Sequence, residues 1–385
     1  MARRWAFAGL LLGVLAAPPL GLAADITAPA AKPIGQIKRV SGSVTIVRGS
    51  EQLRAKPGAA IFQGDVIRSG PDGSIGVAFA DNSLFSAGPS TEVAVPDFRF
   101  DAGSGRGNML AVLGKGTLTA VSGRITHTTP GAMSIRTPTA ILGVRGTTFA
   151  IEVVRVGLCQ CVSDHTAPHL RCVTSAHFCQ ITCASPHYSF VPMSSAELAA
   201  CPPQEHYPQE RYVVLPNADG RPGAGAITVS HAGTATTLDR PYAAAELRDG
   251  GTTARAMKPS EAQDIFEEAF AARPALPAQF RLDFTLGSER MAPQSLADYR
   301  ALVAEIKKRQ AYQVELVGRP DTRTSEAHDR RLAWDRAMTV RAALMRDGVD
   351  AGSIIVDGRG DARQPVRGSA GGGKAANPGV EATIR

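Results

Sequence analysis

Residues Gln313–Met345 read QVELVGRPDTRTSEAHDRRLAWDRAMTVRAALM, and this stretch decides the fold of the C-terminal part of the chain. Gln313 to Val317 alternates as a strand does, with Val314, Leu316 and Gly318 on one side. A polar loop holding Asp321 follows, and then a helix whose apolar stripe is Leu332, Val340 and Leu344. Arg336 comes one helical turn after Leu332 and so sits beside that stripe. An acidic loop residue and a helical arginine are thereby brought together over a packed strand and helix. Such a pair can grip a small zwitterion, Asp321 taking an ammonium and the planar fork of Arg336 taking a carboxylate. From these residues alone the alternative is a structural ion pair between loop and helix, contributing about 0–1 kcal/mol if exposed.

Working outward, Phe280, Leu282 and Phe284 alternate as a strand, and Ala292 to Arg309 forms an amphipathic helix with Leu296, Tyr299, Leu302, Val303 and Ile306 inward. Ser353 to Val356 and Val380 to Ile384 supply two more strands, with Ser369 to Gly373 a flexible loop between them. The order β, α, β, α, β, β predicts a C-terminal α+β domain over residues 279–385, a sheet with helices on one face.

These residues resemble the OmpA-like peptidoglycan-binding family. Its motif of Gly, two residues and Asp, then a loop and a helix, is met by Gly318-Arg319-Pro320-Asp321 and by Asp329-Arg330-Arg331-Leu332-Ala333-Trp334-Asp335-Arg336-Ala337-Met338-Thr339-Val340. Gly358-Arg359-Gly360-Asp361 with Pro365 is similar to the family's Gly-x-Gly-Glu strand and turn. The resemblance implies a non-catalytic domain that holds the diaminopimelate side chain of the cell-wall peptide through Asp321 and Arg336; Thr322 and Arg323, beside Asp321, are candidate further contacts. Four departures bear on the pocket. Pro320 replaces the family's small hydroxyl residue, Asp329 its Asn and Ala333 its Ser, and Asn377-Pro378-Gly379-Val380-Glu381 stands where Asn-Arg-Arg-Val-Glu is usual.

The chain of 385 residues, 44% hydrophobic and 5% aromatic, is long enough for two or three domains with real cores and many turns. Its formal charge of +7 is spread thinly, with no basic stripe interleaved with aromatics, so nucleic acid is not an expected partner. Residues 1–24 have a basic start, an apolar run from about Trp5 to Ala17 and small residues before Ala23 and Ala24, the pattern of a cleaved secretory signal peptide. A retained membrane anchor is the alternative, but the run is short for a span and is followed by Pro18 and Pro19. Export predicts the periplasm, in association with the cell wall or outer membrane. Residues 25–35, rich in Ala and Pro, read as a linker.

From Ile34 short alternating runs begin: Val40 to Val47, Ile61 to Ile67, Ser74 to Phe79, Leu84 to Ser86, Met109 to Val112, Thr117 to Val121 and Phe149 to Val153. Gly42, Gly49, Gly64, Asp72-Gly73 and Asp81-Asn82 punctuate them, which predicts a mainly β domain over residues 36–155. Gly42-Ser43-Val44, Gln63-Gly64-Asp65-Val66-Ile67-Arg68-Ser69, Asp81-Asn82-Ser83 and Thr137-Pro138-Thr139-Ala140-Ile141-Leu142-Gly143-Val144-Arg145-Gly146-Thr147-Thr148-Phe149 resemble the FecR-like periplasmic domain. FecR proteins relay signals through a membrane segment. After the leader no apolar stretch here reaches spanning length, so the resemblance implies a β-rich module that binds or scaffolds.

Residues 156–210 hold all six cysteines, Cys159, Cys161, Cys172, Cys179, Cys183 and Cys201, with five histidines. Disulfides in an exported chain, a zinc site without the usual paired knuckles, and cysteines with no fixed pairing all remain open. Strand-like sequence over residues 211–257 predicts hairpins that extend the β domain, and residues 258–278 a helical connector. No nucleophile with its base, paired-carboxylate motif or phosphate loop is present, so neither enzymatic activity nor a cofactor is expected.

The reading is an envelope protein that binds peptidoglycan non-covalently through its C-terminal domain and presents the FecR-like domain to an envelope protein or glycan. Two alternatives remain: a signalling component acting with a separate membrane partner, and a structural interaction protein whose pocket has degenerated. Oligomeric state is left open.

Overall fold

The structure, a computed structural model, describes residues 32–154, 160–164, 167–173, 209–220, 225–248, 251–319, 326–357 and 379–385. The expected signal peptide, most of the linker and most of the cysteine-rich segment lie outside the described residues. None of the described helices is long and apolar enough to cross a membrane.

The N-terminal region is mainly β. Seventeen strands form two sheets that share one member. In the first sheet Gly35–Ser41 pairs with Ser74–Phe79, which continues through Leu84–Ala87 to the far half of Gly107–Val121, then to Thr148–Val154, Gln209–Leu215, Ala243–Arg248 and Gly251–Ala256. In the second, Val44–Arg48, Val66–Ser69 and Glu92–Phe100 lead to the near half of Gly107–Val121. That half pairs in parallel with Met133–Arg136, which continues to Ile141–Arg145, Ala226–His231 and Thr234–Leu238.

The shared strand is where local reading stops short. Met109 to Val112 and Thr117 to Val121 look like separate strands because Gly114, Lys115 and Gly116 break the alternation. They are one strand of 15 residues that changes sheet at this point. Gly116 has φ +90° there, and a Cβ would come within 2.3 Å of the Thr91 hydroxyl, so a side chain is excluded twice over. The strand Glu92–Phe100 was not read from the sequence at all, because Pro96 and alternating charges mask its pattern.

One core lies between the two sheets, built from Ile37, Phe79, Phe85, Leu118 and Ile151 of the first and Ile46, Val93, Leu113, Leu142 and Val229 of the second. The first sheet is also covered on its other face. Ala150, Val213, Leu215 and Ala244 pack there against Met257, Ala262 and Phe266, the last two from the helix Pro259–Ala271. Residues 259–271 therefore do more than connect: consecutive positions such as Ala150 and Ile151 are both buried because each face has its own cover.

The C-terminal region is an α+β domain. Its sheet runs Ala278–Asp283, Gly379–Ile384, Val314–Arg319, Ile354–Asp357, with only the last pair parallel. Helices Leu296–Lys307 and Glu326–Arg346 cover one face, and Leu282, Leu302, Ile306, Val314, Leu316, Val340, Leu344 and Ile384 form the core. Leu296 is exposed rather than inward, because the helix starts there, after a turn of 3-10 helix at Pro293–Ser295.

Candidate functional site

The C-terminal site is built at one end of the strand Val314–Arg319. The long helix crosses so close above this end that a Cβ on Gly318 would lie 1.9 Å from the Ala333 carbonyl oxygen. Only glycine allows that approach, which gives the first residue of the Gly318-x-x-Asp321 pattern a packing role. The buried stripe of the helix is Ala333, Arg336, Ala337, Val340 and Leu344, with Leu332 only half-buried. Arg336 is thus on the stripe, not beside it, because the strand end and the loop after Phe284 close over it.

Arg336 has no exposed surface. Its Nε donates to the Ser288 carbonyl at 2.9 Å, and its two terminal nitrogens reach the carbonyls of Arg319 and Thr285, each at 3.4 Å. The guanidinium carbon stands 5.7 Å from the centre of the Phe284 ring. The loop that supplies two of these carbonyls is a tight turn: Thr285 N–H donates to the Arg290 carbonyl, Ser288 N–H to the Thr285 carbonyl, and Phe284 bridges Met291. Three backbone dipoles from two segments thus fix the plane of the fork. Thr285 and Ser288 were missed in the sequence, since they contribute backbone oxygens, which any residue type can supply.

Asp321, Thr322 and Arg323 lie outside the described residues, as do Pro320, Gly358-Arg359-Gly360-Asp361 and Asn377. Arg319, at the strand end, pairs with Glu381 on the neighbouring strand. Asp329 is buried near the start of the helix, while Trp334 points outward with 40% of its surface exposed.

The polar residues of the N-terminal motifs serve their own turns. The carboxylate of Asp65 accepts two hydrogen bonds from Arg48, both at 2.8 Å, and one from the Phe62 N–H at 2.9 Å. Asp81 accepts from the Ser83 N–H at 3.0 Å and from the Ser83 hydroxyl at 2.7 Å, with Asn82 between them at φ +73°. Burial pushes the Asp81 carboxyl up from its ordinary value, and the bonds from Ser83 oppose that. In the Thr137-Pro138-Thr139 turn, Glu210 is fully buried, taking the Thr137 hydroxyl at 2.8 Å, the Thr139 N–H at 3.1 Å and the Tyr212 hydroxyl. Burial first, and the Glu210 charge second, hold the Tyr212 phenol protonated far above its usual range. Glu210 and Tyr212 stand more than 70 residues beyond the turn they complete.

Residues 65–159 match the model of the FecR protein family, and residues 284–378 match that of the OmpA family. The chain therefore joins a FecR region to an OmpA-like region. Among solved structures it is similar to the peptidoglycan-associated lipoprotein from Burkholderia pseudomallei, at 21% identity and a TM-score of 0.24, over 28% of this chain and 90% of that one. It is also similar to the periplasmic domain of Helicobacter pylori MotB, at 17% identity and a TM-score of 0.23, over 28% of this chain and 80% of that one. A comparison with curated proteins returns no match.

Proposed function

We propose that this is an exported cell-envelope protein that binds peptidoglycan non-covalently through its C-terminal domain and presents its FecR-like domain to an envelope protein or glycan. The observation that carries the reading is Arg336: a guanidinium with no exposed surface, oriented by carbonyls of Thr285, Ser288 and Arg319, inside the region that matches the OmpA family. A planar fork held in one orientation suits the geometry of a carboxylate. In this reading Arg336 takes the carboxylate of a diaminopimelate side chain and Asp321 its ammonium, with Thr322 and Arg323 at the rim. The signal peptide ends near Ala23 or Ala24, and the protein works in the periplasm against the wall or outer membrane. It acts as a binding protein, with no catalytic step and no cofactor.

Co-sedimentation of the full chain with insoluble peptidoglycan tests this, beside Asp321→Ala and Arg336→Ala, with circular dichroism to confirm folding. Each variant is expected to lose binding by about tenfold or more, the scale of one charged contact. Equal binding by all three folded proteins defeats the pocket, and no binding by the wild type defeats the function.

A further inference from the structure

The second sheet of the β region is apolar on its outer face as well as its inner one. Side chains alternate between the two faces along each strand, and Ile46, Ile67, Val93, Leu113, Ile135 and Leu142 point into the core. Their outward neighbours are Val47, Val66, Ala94, Val112, Arg136 and Ile141. Cross-strand register lines these six up: Val47 faces Val66, Val66 faces Ala94, Ala94 faces Val112, Val112 faces Arg136, and Arg136 faces Ile141. They form one row about 24 Å long, the sum of five strand spacings. Leu110 lies two residues from Val112 on the same side. The valines and Ala94 are partly exposed, and Ile141 shows 48% of its surface.

The first sheet has an apolar outer face too, and the chain covers it with the helix Pro259–Ala271. None of the described helices covers the second. Leu296–Lys307 and Glu326–Arg346 lie on the C-terminal sheet, and the short helix Arg124–Thr128 sends Ile125 into the core. An antiparallel sheet with one face in water carries polar residues on that face. A continuous row of valines there marks a surface that meets something other than water.

The charges around the row say what that is. On one side, Arg54 of the edge strand Glu51–Arg54 is followed across the sheet by Thr45, Arg68, Glu92 and Lys115. Glu92 is held by Arg68 at 3.0 Å. On the other side, Asp97 is taken by Arg99 at 3.5 Å and by the Asn108 amide, and Arg145 ends the strand Ile141–Arg145. With Arg136 in the row itself, six cations on this face meet two acids, both already engaged. Arg54, Lys115, Arg136 and Arg145 make no ion pair among the described residues.

We propose that this face docks an acidic protein, whose apolar centre covers the valine row and whose carboxylates meet the unpaired cations. Docking here rests on the reading that the FecR-like region is presented to an envelope partner, and it narrows that partner to one chemistry. An apolar centre inside a charged rim is how proteins bind one another, and complementary charge selects the partner. An anionic glycan would meet the cations but leave the valines in water. A second copy would set one positive face against another. The chain's own residues 155–209 carry Asp164, Glu197 and Glu205 against Arg155 and Arg171, too little negative charge to balance the face.

The photo-reactive residue p-benzoylphenylalanine, placed at Ile141 of the full chain in the cells that make it, tests the face. A second position is Thr253, exposed on the edge strand Gly251–Ala256 of the first sheet. Light is expected to give one adduct from Ile141, whose partner, identified by mass spectrometry, is a protein of net negative charge. Purified, that protein is expected to bind the full chain, and Arg136→Glu combined with Arg145→Glu to weaken binding by about tenfold or more. Circular dichroism confirms that the variant is folded. An adduct with a second copy, with the chain itself, with a glycan or with a protein that is not acidic overturns the proposal, and so does equal binding by the charge-reversed variant. An adduct from Thr253 alone overturns this face and leaves the presentation of the region standing. No adduct from either position overturns both.

Discussion

The two motif regions bury charge in opposite ways. In the FecR-like region the buried groups that close turns are acids: Asp65 receives the Phe62 N–H and the Arg48 guanidinium, while Asp81 and Glu210 each receive N–H and O–H donors from the turn they hold. In the OmpA-like region the buried motif groups are Asp329 and a cation, Arg336, whose fork is held by carbonyls of two segments that the chain brings together from afar. A carboxylate saturated by its own turn is scaffolding, since its acceptors are engaged. A guanidinium whose plane is fixed by backbone carbonyls is oriented for a planar partner. The family patterns look alike on the page, but they mark architecture in one region and a candidate binding group in the other.

Glu210→Ala gives the largest expected effect. It leaves the Thr139 N–H and the Thr137 and Tyr212 hydroxyls without their acceptor in the core, for a loss of roughly 3–5 kcal/mol. Chemical denaturation should show this loss with peptidoglycan binding of the remaining folded protein unchanged. A loss of binding at unchanged stability would break the comparison, because it would make the FecR-like acid functional.

Arg336→Lys is expected to come next. The charge remains but the planar fork does not, so wall binding should fall by about tenfold in co-sedimentation while folding is retained. Wild-type affinity from the lysine variant would mean that charge alone suffices.

The smallest effect belongs to the surface. Arg255 bonds both Glu246 and Glu261, tying the strand Gly251–Ala256 to the helix that covers the first sheet. The bond from Arg255 holds the Glu261 carboxyl below its ordinary value. A depressed carboxylate adds stability above its unfolded value, and that stability is lost as pH falls through the folded value. The pair is about one-third exposed, so screening limits Glu261→Gln to under about 1 kcal/mol at neutral pH. The difference from wild type should vanish in acid thermal melts, and a larger one would show that this surface network rivals the buried acids.

Much of the secondary structure was legible in the chain. Val314 to Val317, the helices near 259–271 and 296–307, and the turn at Asp81-Asn82 follow from alternation, helical spacing and tolerance of positive φ, all properties of neighbouring residues. The strand Glu92–Phe100 escaped because Pro96 interrupts its pattern. Of the candidate site, Arg336 was legible as a helical residue near the apolar stripe, while its full burial on that stripe was not. Thr285 and Ser288 were not, because a carbonyl carries no mark of its residue type.

The sequence by itself determined the order of elements in the C-terminal domain, the β character of the N-terminal region, the two family patterns and the arginine on which the proposed function rests, because each is written within a short stretch. The tertiary structure decided which charges are buried and against what. Gly107–Val121 joins two sheets, Glu210 closes a turn far behind it in the chain, and Lys38 meets Arg385 across nearly the whole sequence. Burial is set by what packs opposite a residue, and no local pattern states which distant segment that will be.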